Sequence, residues 1–404
     1  MTDSNAALLA RAVIPPPVLE VVRGLSEAGH QAFLVGGCVR DILRGEPPKD
    51  FDLATSATPE QVQRAFARVI PTGIEHGTVT VVARGVHVEV TTFRAEAEYL
   101  DGRRPSKVEF HTDIEADLSR RDFTINAMAF DPVSKRLVDP FGGQVDLAAK
   151  TIRCVRSAME RFLEDGLRAM RAVRFATVLG YTIEPETAAA ISKTLHVFRR
   201  VATERINQEF TKLLLAPLAP VGLELLERTG LLGAFLPEAA SATPQAVALA
   251  PADLTVRLAV LLADCEAPRE VLLRLKFPVK VAADAAHLVA NQHPPGADVG
   301  EPTLRRWLAR VKPEFVGPIF ALARARGFDV SGEPAVRAVL AQDPPLTTRA
   351  LALNGAQIMA ALAVGPSPLV GQATHYLLER VLDEPALNSA EGLAGLLATW
   401  ERPS

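Results

Sequence analysis

The stretch Val35-Gly36-Gly37-Cys38-Val39-Arg40-Asp41, followed by Lys49-Asp50-Phe51-Asp52, decides how this chain folds. The apolar run Gln31 to Val35 reads as a short strand that ends at the two glycines. Val39 to Leu43 reads as a short helix, stopped by Gly45 and Pro47-Pro48, and Asp50 to Ala54 resumes as a strand. Glycines between a strand and a helix expose backbone N–H groups, and Gly36 and Gly37 therefore offer a site for phosphate. Arg40 sits one turn in, where a guanidinium pairs with phosphate or carboxylate. The spacing is neither a dinucleotide fingerprint nor a P-loop, because no second glycine set and no Gly-Lys-Ser/Thr follows.

Asp50 and Asp52 sharpen the reading. Strand alternation puts both carboxylates on one face, roughly 6–7 Å apart, with Phe51 turned into the core. Carboxylates that close repel unless a cation joins them, and an oxygen-rich site of this kind suits Mg²⁺. A third carboxylate on a neighbouring strand completes a site for in-line phosphoryl transfer. Gly77–Val82 and Val86–Phe93 read as a hairpin across Ala83-Arg84-Gly85. If Val86, Val88 and Val90 face the core, then His87, Glu89 and Thr91 face the other way, and Glu89 is that third carboxylate.

Further out, Thr58-Pro59-Glu60-Gln61 carries the signs of a helix start, with a threonine cap and a glutamine closing a capping box. Beyond Asp146 the apolar period becomes 3.6. Leu163, Leu167 and Met170 form one stripe and Phe162, Ala169, Val173 and Ala176 another, which predicts a continuous helix buried on two sides. On it Asp165 and Arg168 are i and i+3 neighbours, with Arg171 and Arg174 at the same interval. Asp117 to Arg120 reads as a charged, solvated helix end. The alanine-rich run 239–252 is the linker candidate.

Composition sets the bounds. The 404 residues are 48% hydrophobic and 23% charged with a net charge of −3, which excludes a strongly basic or a wholly disordered chain. Residues 150–212 nevertheless hold twelve Lys/Arg against seven Asp/Glu, a local balance of +5, and Arg305 to Arg337 is basic too. Basic stretches in an acidic chain suit a nucleic-acid partner. Cys38, Cys154 and Cys265 are too far apart for a disulfide framework or a zinc motif, which points to a reducing cytoplasm. The first eleven residues do not read as a signal peptide. The longest uncharged stretch, Leu351 to Leu378, is too polar to span a bilayer, so no membrane role is expected. The eight histidines are scattered, none followed by Asp, and no protein partner is evident.

Val35 to Asp41 with Asp50-Phe51-Asp52-Leu53-Ala54-Thr55 resembles the head of the class II tRNA nucleotidyltransferases, the family of CCA-adding enzymes and bacterial poly(A) polymerases. Gly77 to Val82 and Glu89 to Arg94 look like its catalytic sheet. Arg120-Arg121-Asp122-Phe123-Thr124-Ile125-Asn126 looks like its ribose-reading motif, and Asp139 to Gly143 like the hinge that follows. Glu164-Asp165-Gly166-Leu167-Arg168 looks like its nucleobase template, and Arg205-Ile206 through Glu209 to Lys212 like its helix-bracing motif. Arg94 to Arg104 looks like its flexible loop. Glu75 to Thr78 and Tyr99 to Pro105 look more like the CCA-adding branch.

The resemblance implies an α+β chain, with a nucleotidyltransferase-type mixed β-sheet head (1–147) followed by an all-helical neck (148–215), body (216–300) and tail (301–404). It implies CCA addition to tRNA from CTP and ATP with Mg²⁺ on Asp50 and Asp52. Asp122 and Asn126 would read ribose; Arg121, Arg171 and Arg174 would contact phosphates or sugar. Asp165 and Arg168 would read the base edge, where cytosine and adenine share an exocyclic amine. Two alternatives are a poly(A) or A-adding product and a non-catalytic RNA-binding relative.

Overall fold

The computed structural model describes residues 2–95, 109–110, 113–239 and 242–401, which form two compact units divided between Pro237 and Glu238. Most of the loop expected at Arg94 to Arg104, and all of Tyr99 to Pro105, lies outside the described residues.

In the first unit, α1 (Thr2–Arg11) and α2 (Pro16–Glu27) precede β1 (Ala32–Val35) and α3 (Gly37–Leu43). Then come β2 (Asp52–Thr55), α4 (Pro59–Ala65), β3 (Val69–Gly73), β4 (Thr78–Ala83) and β5 (Val86–Thr92). The two-residue strands β6 (Arg94–Ala95) and β7 (Glu109–Phe110) pair with each other, ahead of α5 (Ile114–Ser119), β8 (Ala129–Asp131) and β9 (Arg136–Val138). One mixed sheet runs in the order β3-β4-β5-β2-β1-β8-β9, with β2 and β5 parallel and its other pairs antiparallel. All four residues of β1 are buried, and Phe33, Val35, Ala54 and Phe93 join Ile114 and Leu118 of α5 in one core cluster. Apolar burial of this kind fixes β1 and its neighbours, and so fixes the ends from which the polar residues project.

Several local expectations change. Asp50 precedes its strand, which begins at Asp52, and Phe51 is only half-buried, so the two aspartates are not successive same-face strand residues. Val86 is exposed at the hairpin end, while Val88 and Val90 are buried as expected. The capping box at Thr58 and Gln61 is formed. Among the described residues no single helix is long and apolar enough to cross a membrane. Helices α1 and α2 reach that length only together, bent by 111°, and α2 buries Val18, Val21, Val22 and Leu25 where it packs on the sheet.

Helices follow: α6 (Gly143–Ala148), α7 (Ala158–Glu164), α8 (Leu167–Leu179), α9 (Pro185–Lys193), α10 (Leu195–Phe198) and α11 (Thr203–Leu214). The helix expected through Asp165 is two helices. Asp165 ends α7 in an extended conformation, and its Oδ1 accepts from the Leu167 N–H to start the next helix. Gly166 lies so close to α10 that a Cβ there would fall 2.7 Å from Phe198 backbone atoms, which no side chain tolerates. Leu163, placed on the inner stripe, is 43% exposed.

The second unit is helical throughout its described residues. Part of the supposed linker is itself a helix, Pro244–Leu249. The basic stretch expected from Arg305 to Arg337 is largely paired. Arg305 is buried and donates to Leu382 O and Asp383 O, satisfying the carboxyl end of the helix Pro368–Asp383. Arg306 pairs with Glu379 and Asp383, Arg326 with Asp264, and Arg324 and Arg337 with Glu333. His287 and His293 lie against Phe315 and Phe328, and His287 Nε2 is 2.9 Å from Val311 O.

Candidate active site

A cavity of about 690 Å³ opens in the first unit where the carboxyl end of β1, the start of β2 and the face of β5 meet α8 and α11. Gly36 ends β1 at φ +72, a left-handed value that favours glycine, and a Cβ there would stand 3.0 Å from Arg121 Nη1. Both glycines line the cavity together with Asp50, Asp52 and Glu89. In register, Asp52 lies opposite Val35 on one side and Glu89 on the other.

The acidic groups are electrically strained. Lost hydration pushes the Asp52 carboxyl above the ordinary aspartate value; Arg121 opposes that rise and Asp50 adds to it. Glu89 is raised by lost hydration and by Asp52, with Arg94 pulling the other way. Neither Asp50 nor Asp52 has a side-chain hydrogen bond or ion pair among the described residues. Mg²⁺ is ordinarily held by one or two carboxylates, with waters and substrate phosphates completing the shell. This donor set fits that mode and not an all-protein cage, since no group of three or more ligating side chains closes around one point among the described residues.

Above the carboxylates lies a layer of arginines, each tied to an acid. Asp117, expected as part of a solvated helix end, is fully buried and holds Arg120 at 2.6 Å and Arg121 at 3.1 Å. Burial would raise its carboxyl, but the two guanidiniums outweigh burial and hold it low. Asp122 is also buried. It accepts from Phe123 N–H, Asn126 Nδ2 and Arg171 Nε, and Arg171 outweighs the burial and holds its carboxyl at about 2. Asn126 Oδ1 in turn accepts from Arg40 Nη1 at 2.8 Å.

The segment read as a base template takes an unexpected form. Asp165 does not pair with Arg168. Arg205 of α11 grips both its oxygens, at 3.1 and 2.7 Å. Arg168 donates instead to Glu164 at 2.8 Å and to the Arg120 carbonyl at 2.9 Å, and Glu164 also takes the buried Arg161. Glu209 of α11 accepts from Arg174 at 2.6 Å and lies 3.5 Å from Arg171. The broken helix turns Asp165, Arg168, Arg171 and Arg174 all toward the same cavity.

Every residue assigned to the metal or nucleotide site from the sequence lines this one cavity. So do Arg94, Arg120, Arg205 and Lys212, which that reading named only within family motifs, and Phe175, which it did not name. Arg205, Glu209 and Lys212, marked by the resemblance as a helix-bracing motif, stand at intervals of four and three on one face of α11. Cys38 and Cys154 are buried, with thiols pushed up to about 11 and about 12, so neither serves as a nucleophile.

Residues 32–153 match the family described as "Poly A polymerase head domain", and residues 180–243 that described as "Probable RNA and SrmB- binding site of polymerase A". The CCA-adding enzyme of Anoxybacillus flavithermus is 46% identical over 231 residues, 57% of this chain and 58% of that protein. That of Geobacillus stearothermophilus is 45% identical over 225 residues, 55% of each. The matched region thus spans little more than half the length of these curated relatives. Over the whole fold, the crystal structure of the Bacillus stearothermophilus CCA-adding enzyme in complex with CTP superposes with a TM-score of 0.81 at 32% identity, covering 95% of this chain and 98% of that one. The Thermotoga maritima CCA-adding enzyme complexed with tRNA shares the fold at a TM-score of 0.69 and 19% identity, covering 99% of this chain and 98% of that one. Because its fold matches nearly the whole length of a solved relative at 32% identity, the chain belongs to the class II CCA-adding enzyme family.

Proposed function

We propose that the chain adds and repairs the 3′-terminal CCA of tRNA from CTP and ATP, with no nucleic-acid template. The observation that carries this is one cavity in which Asp50, Asp52 and Glu89 share walls with Asp165, Arg168 and the arginines between them. The relatives named above support the same product, and none of those named is a poly(A) or A-adding enzyme.

In this reading the tRNA 3′-hydroxyl attacks the α-phosphate of the bound nucleotide and pyrophosphate leaves. Asp50 and Asp52 hold Mg²⁺, which when bound supplies charge stabilisation at the reacting phosphate. Glu89 accepts the hydroxyl proton, a task suited by a carboxyl raised above its ordinary value. Gly36 and Gly37 let backbone approach the phosphates, and Arg40, Arg121, Arg171 and Arg174 orient the triphosphate. Asp122, seated by Asn126, accepts the ribose 2′-hydroxyl and so favours ribonucleotides. Asp165 accepts the exocyclic amine of C or A, while Arg168 donates to cytosine O2 and N3 or to adenine N1. Guanine and uracil present an oxygen where the amine should be and are repelled.

The neck, body and tail at 148–215, 216–300 and 301–404 behind a head at 1–147 remain part of this proposal, as does a cytoplasmic location. The deciding assay uses tRNA ending at the discriminator base with CTP alone, ATP alone, and both. Two C residues with CTP and a completed CCA only with both support the reading. Long A tails with ATP alone overturn it.

A further inference from the structure

Phe175 is the one aromatic ring lining the cavity among the described residues, and three guanidinium groups converge on it. The Arg174 guanidinium carbon lies 3.5 Å from the ring centroid, that of Arg171 5.2 Å and that of Arg40 5.4 Å. Two of these arginines come from α8 and one from α3, so the ring joins side chains from two helices far apart in sequence. The ring is itself buried and fixed edge-on against Phe123, centroids 5.7 Å apart at 80°.

Resting on the function proposed above, we propose that Phe175 is a positioning residue for the nucleotide triphosphate: its π-face holds Arg40, Arg171 and Arg174 together as one polyphosphate cradle.

The physical need is specific. Three cations packed together repel one another and lose water; burial already lowers Arg174 below the ordinary arginine value. Carboxylates can stabilise such a group, and Asp41, Asp122 and Glu209 do so. Each carboxylate, however, cancels a positive charge that a polyphosphate would otherwise feel, and three acids already match three guanidiniums formally. A fourth would make the cluster net negative. An aromatic face attracts cations through its quadrupole and carries no net charge, so it steadies the arginines at no cost to the potential that the ligand meets.

The test needs a probe with neither base nor sugar, so that it reads the cradle apart from the product. Binding of inorganic tripolyphosphate to the full chain is measured by calorimetry, beside KM and kcat for CTP and ATP on tRNA and the thermal midpoint. Phe175→Leu should weaken tripolyphosphate about tenfold and raise KM for both nucleotides by a similar factor, the scale of a desolvated cation–π contact, with kcat changed far less. Phe175→Tyr, which keeps the ring, should recover most of that loss. Stepwise fluorination of the Phe175 ring by an expanded genetic code keeps its shape and drains its quadrupole. Affinity for tripolyphosphate should fall in step with fluorine number at a constant thermal midpoint. That series also decides the matter if Phe175→Leu does not fold. Tripolyphosphate affinity indifferent to fluorination, or a Leu variant that loses kcat with KM unchanged, overturns the proposal. Failure to add C and A to tRNA, with tripolyphosphate still responding to the ring, would instead count against the function proposed above and leave the cradle standing.

Discussion

Asp52 on β2 stands directly opposite Glu89 on β5 across a parallel pair of the main sheet, so two carboxylates face one cavity, each raised by partial loss of hydration and by a neighbouring carboxylate, Asp50 for Asp52 and Asp52 for Glu89. Neutralising the acidic corner should stop chemistry and spare binding. Asp50→Ala and Asp52→Ala are expected to lower incorporation of both C and A by at least about a thousandfold, the scale of several kcal/mol of lost charge stabilisation. Affinity for tRNA should change less than about twofold, because the phosphate-binding cations are untouched. Substantial turnover of either variant in Mg²⁺ would show that the metal carboxylates lie elsewhere.

The same strain predicts a stability effect of unusual sign. A carboxyl whose folded pKa is raised binds its proton more tightly in the folded state. Stability is therefore lost as pH rises through the unfolded value toward the folded one, and the loss persists at neutral pH. Asp52→Asn should then raise the thermal midpoint at pH 7, in contrast to most single substitutions. Mg²⁺ should raise the wild-type midpoint as well, by relieving the repulsion, and raise that of Asp50→Asn much less. Differential scanning fluorimetry decides it, and a clear drop for Asp52→Asn would refute the account.

Asp122 behaves in the opposite sense. Its carboxyl is held at about 2 against an ordinary 3.8, chiefly by Arg171. A depressed folded pKa contributes stability that is complete above the unfolded value and is lost as pH falls toward 2, here about 2 kcal/mol. Asp122→Asn should therefore lower the denaturant midpoint at pH 7, and its difference from wild type should shrink as pH falls from 4 toward 2. A difference constant across that range would mean that the Asp122–Arg171 pair contributes nothing through charge.

Selection of the base is the next target. Asp165→Ala should cost discrimination of C over U on the order of 1–3 kcal/mol, the range for one good bidentate base contact. Arg205→Ala keeps the carboxylate but removes the fork that holds both its oxygens. It should give a smaller loss of the same kind, with Arg205→Lys close behind because a single ammonium cannot reproduce the paired bonds. Misincorporation of UTP and GTP at the first position added to a tRNA primer reads both. Unchanged C-over-U selectivity in Asp165→Ala would make the Asp165–Arg205 pair purely structural.

What the sequence disclosed was local, and what it hid was tertiary. The capping box at Thr58 and Gln61 and the outward face of Glu89 follow from residues within a few positions of one another. The break at Asp165 did not show, because Leu163, Leu167 and Met170 keep the apolar period running straight through it. The cause is the closeness of Gly166 to the backbone of Phe198, a contact made 32 residues downstream. The pairing of Arg205 with Asp165 went unforeseen for the same reason, the two lying 40 positions apart. Arg305 looked like a solvated charge and is instead spent on the end of a helix 77 residues on. Charge counted along a chain says nothing about which charges meet.

That distinction yields a test of where RNA affinity resides. Lys193, Arg199 and Arg200 are exposed at the ends of α9 and α10 and enter no ion pair among the described residues. Arg337 is exposed too, but it pairs with Glu333, which also keeps Arg324. A cation already neutralised by a carboxylate releases few counterions when a phosphate arrives, whereas an unpaired one releases nearly its full share. The slope of log K against log salt for tRNA should thus become shallower by roughly 0.7–0.9 for each of Lys193→Ala, Arg199→Ala and Arg200→Ala that loses a phosphate contact. Arg337→Ala should leave the slope unchanged within about 0.2. Filter binding from 50 to 200 mM salt resolves the difference. If Arg337→Ala flattened the slope while all three substitutions near α9 and α10 left it intact, then paired surface arginines of the second unit, and not the open cations of the first, would be the ones that meet the RNA backbone.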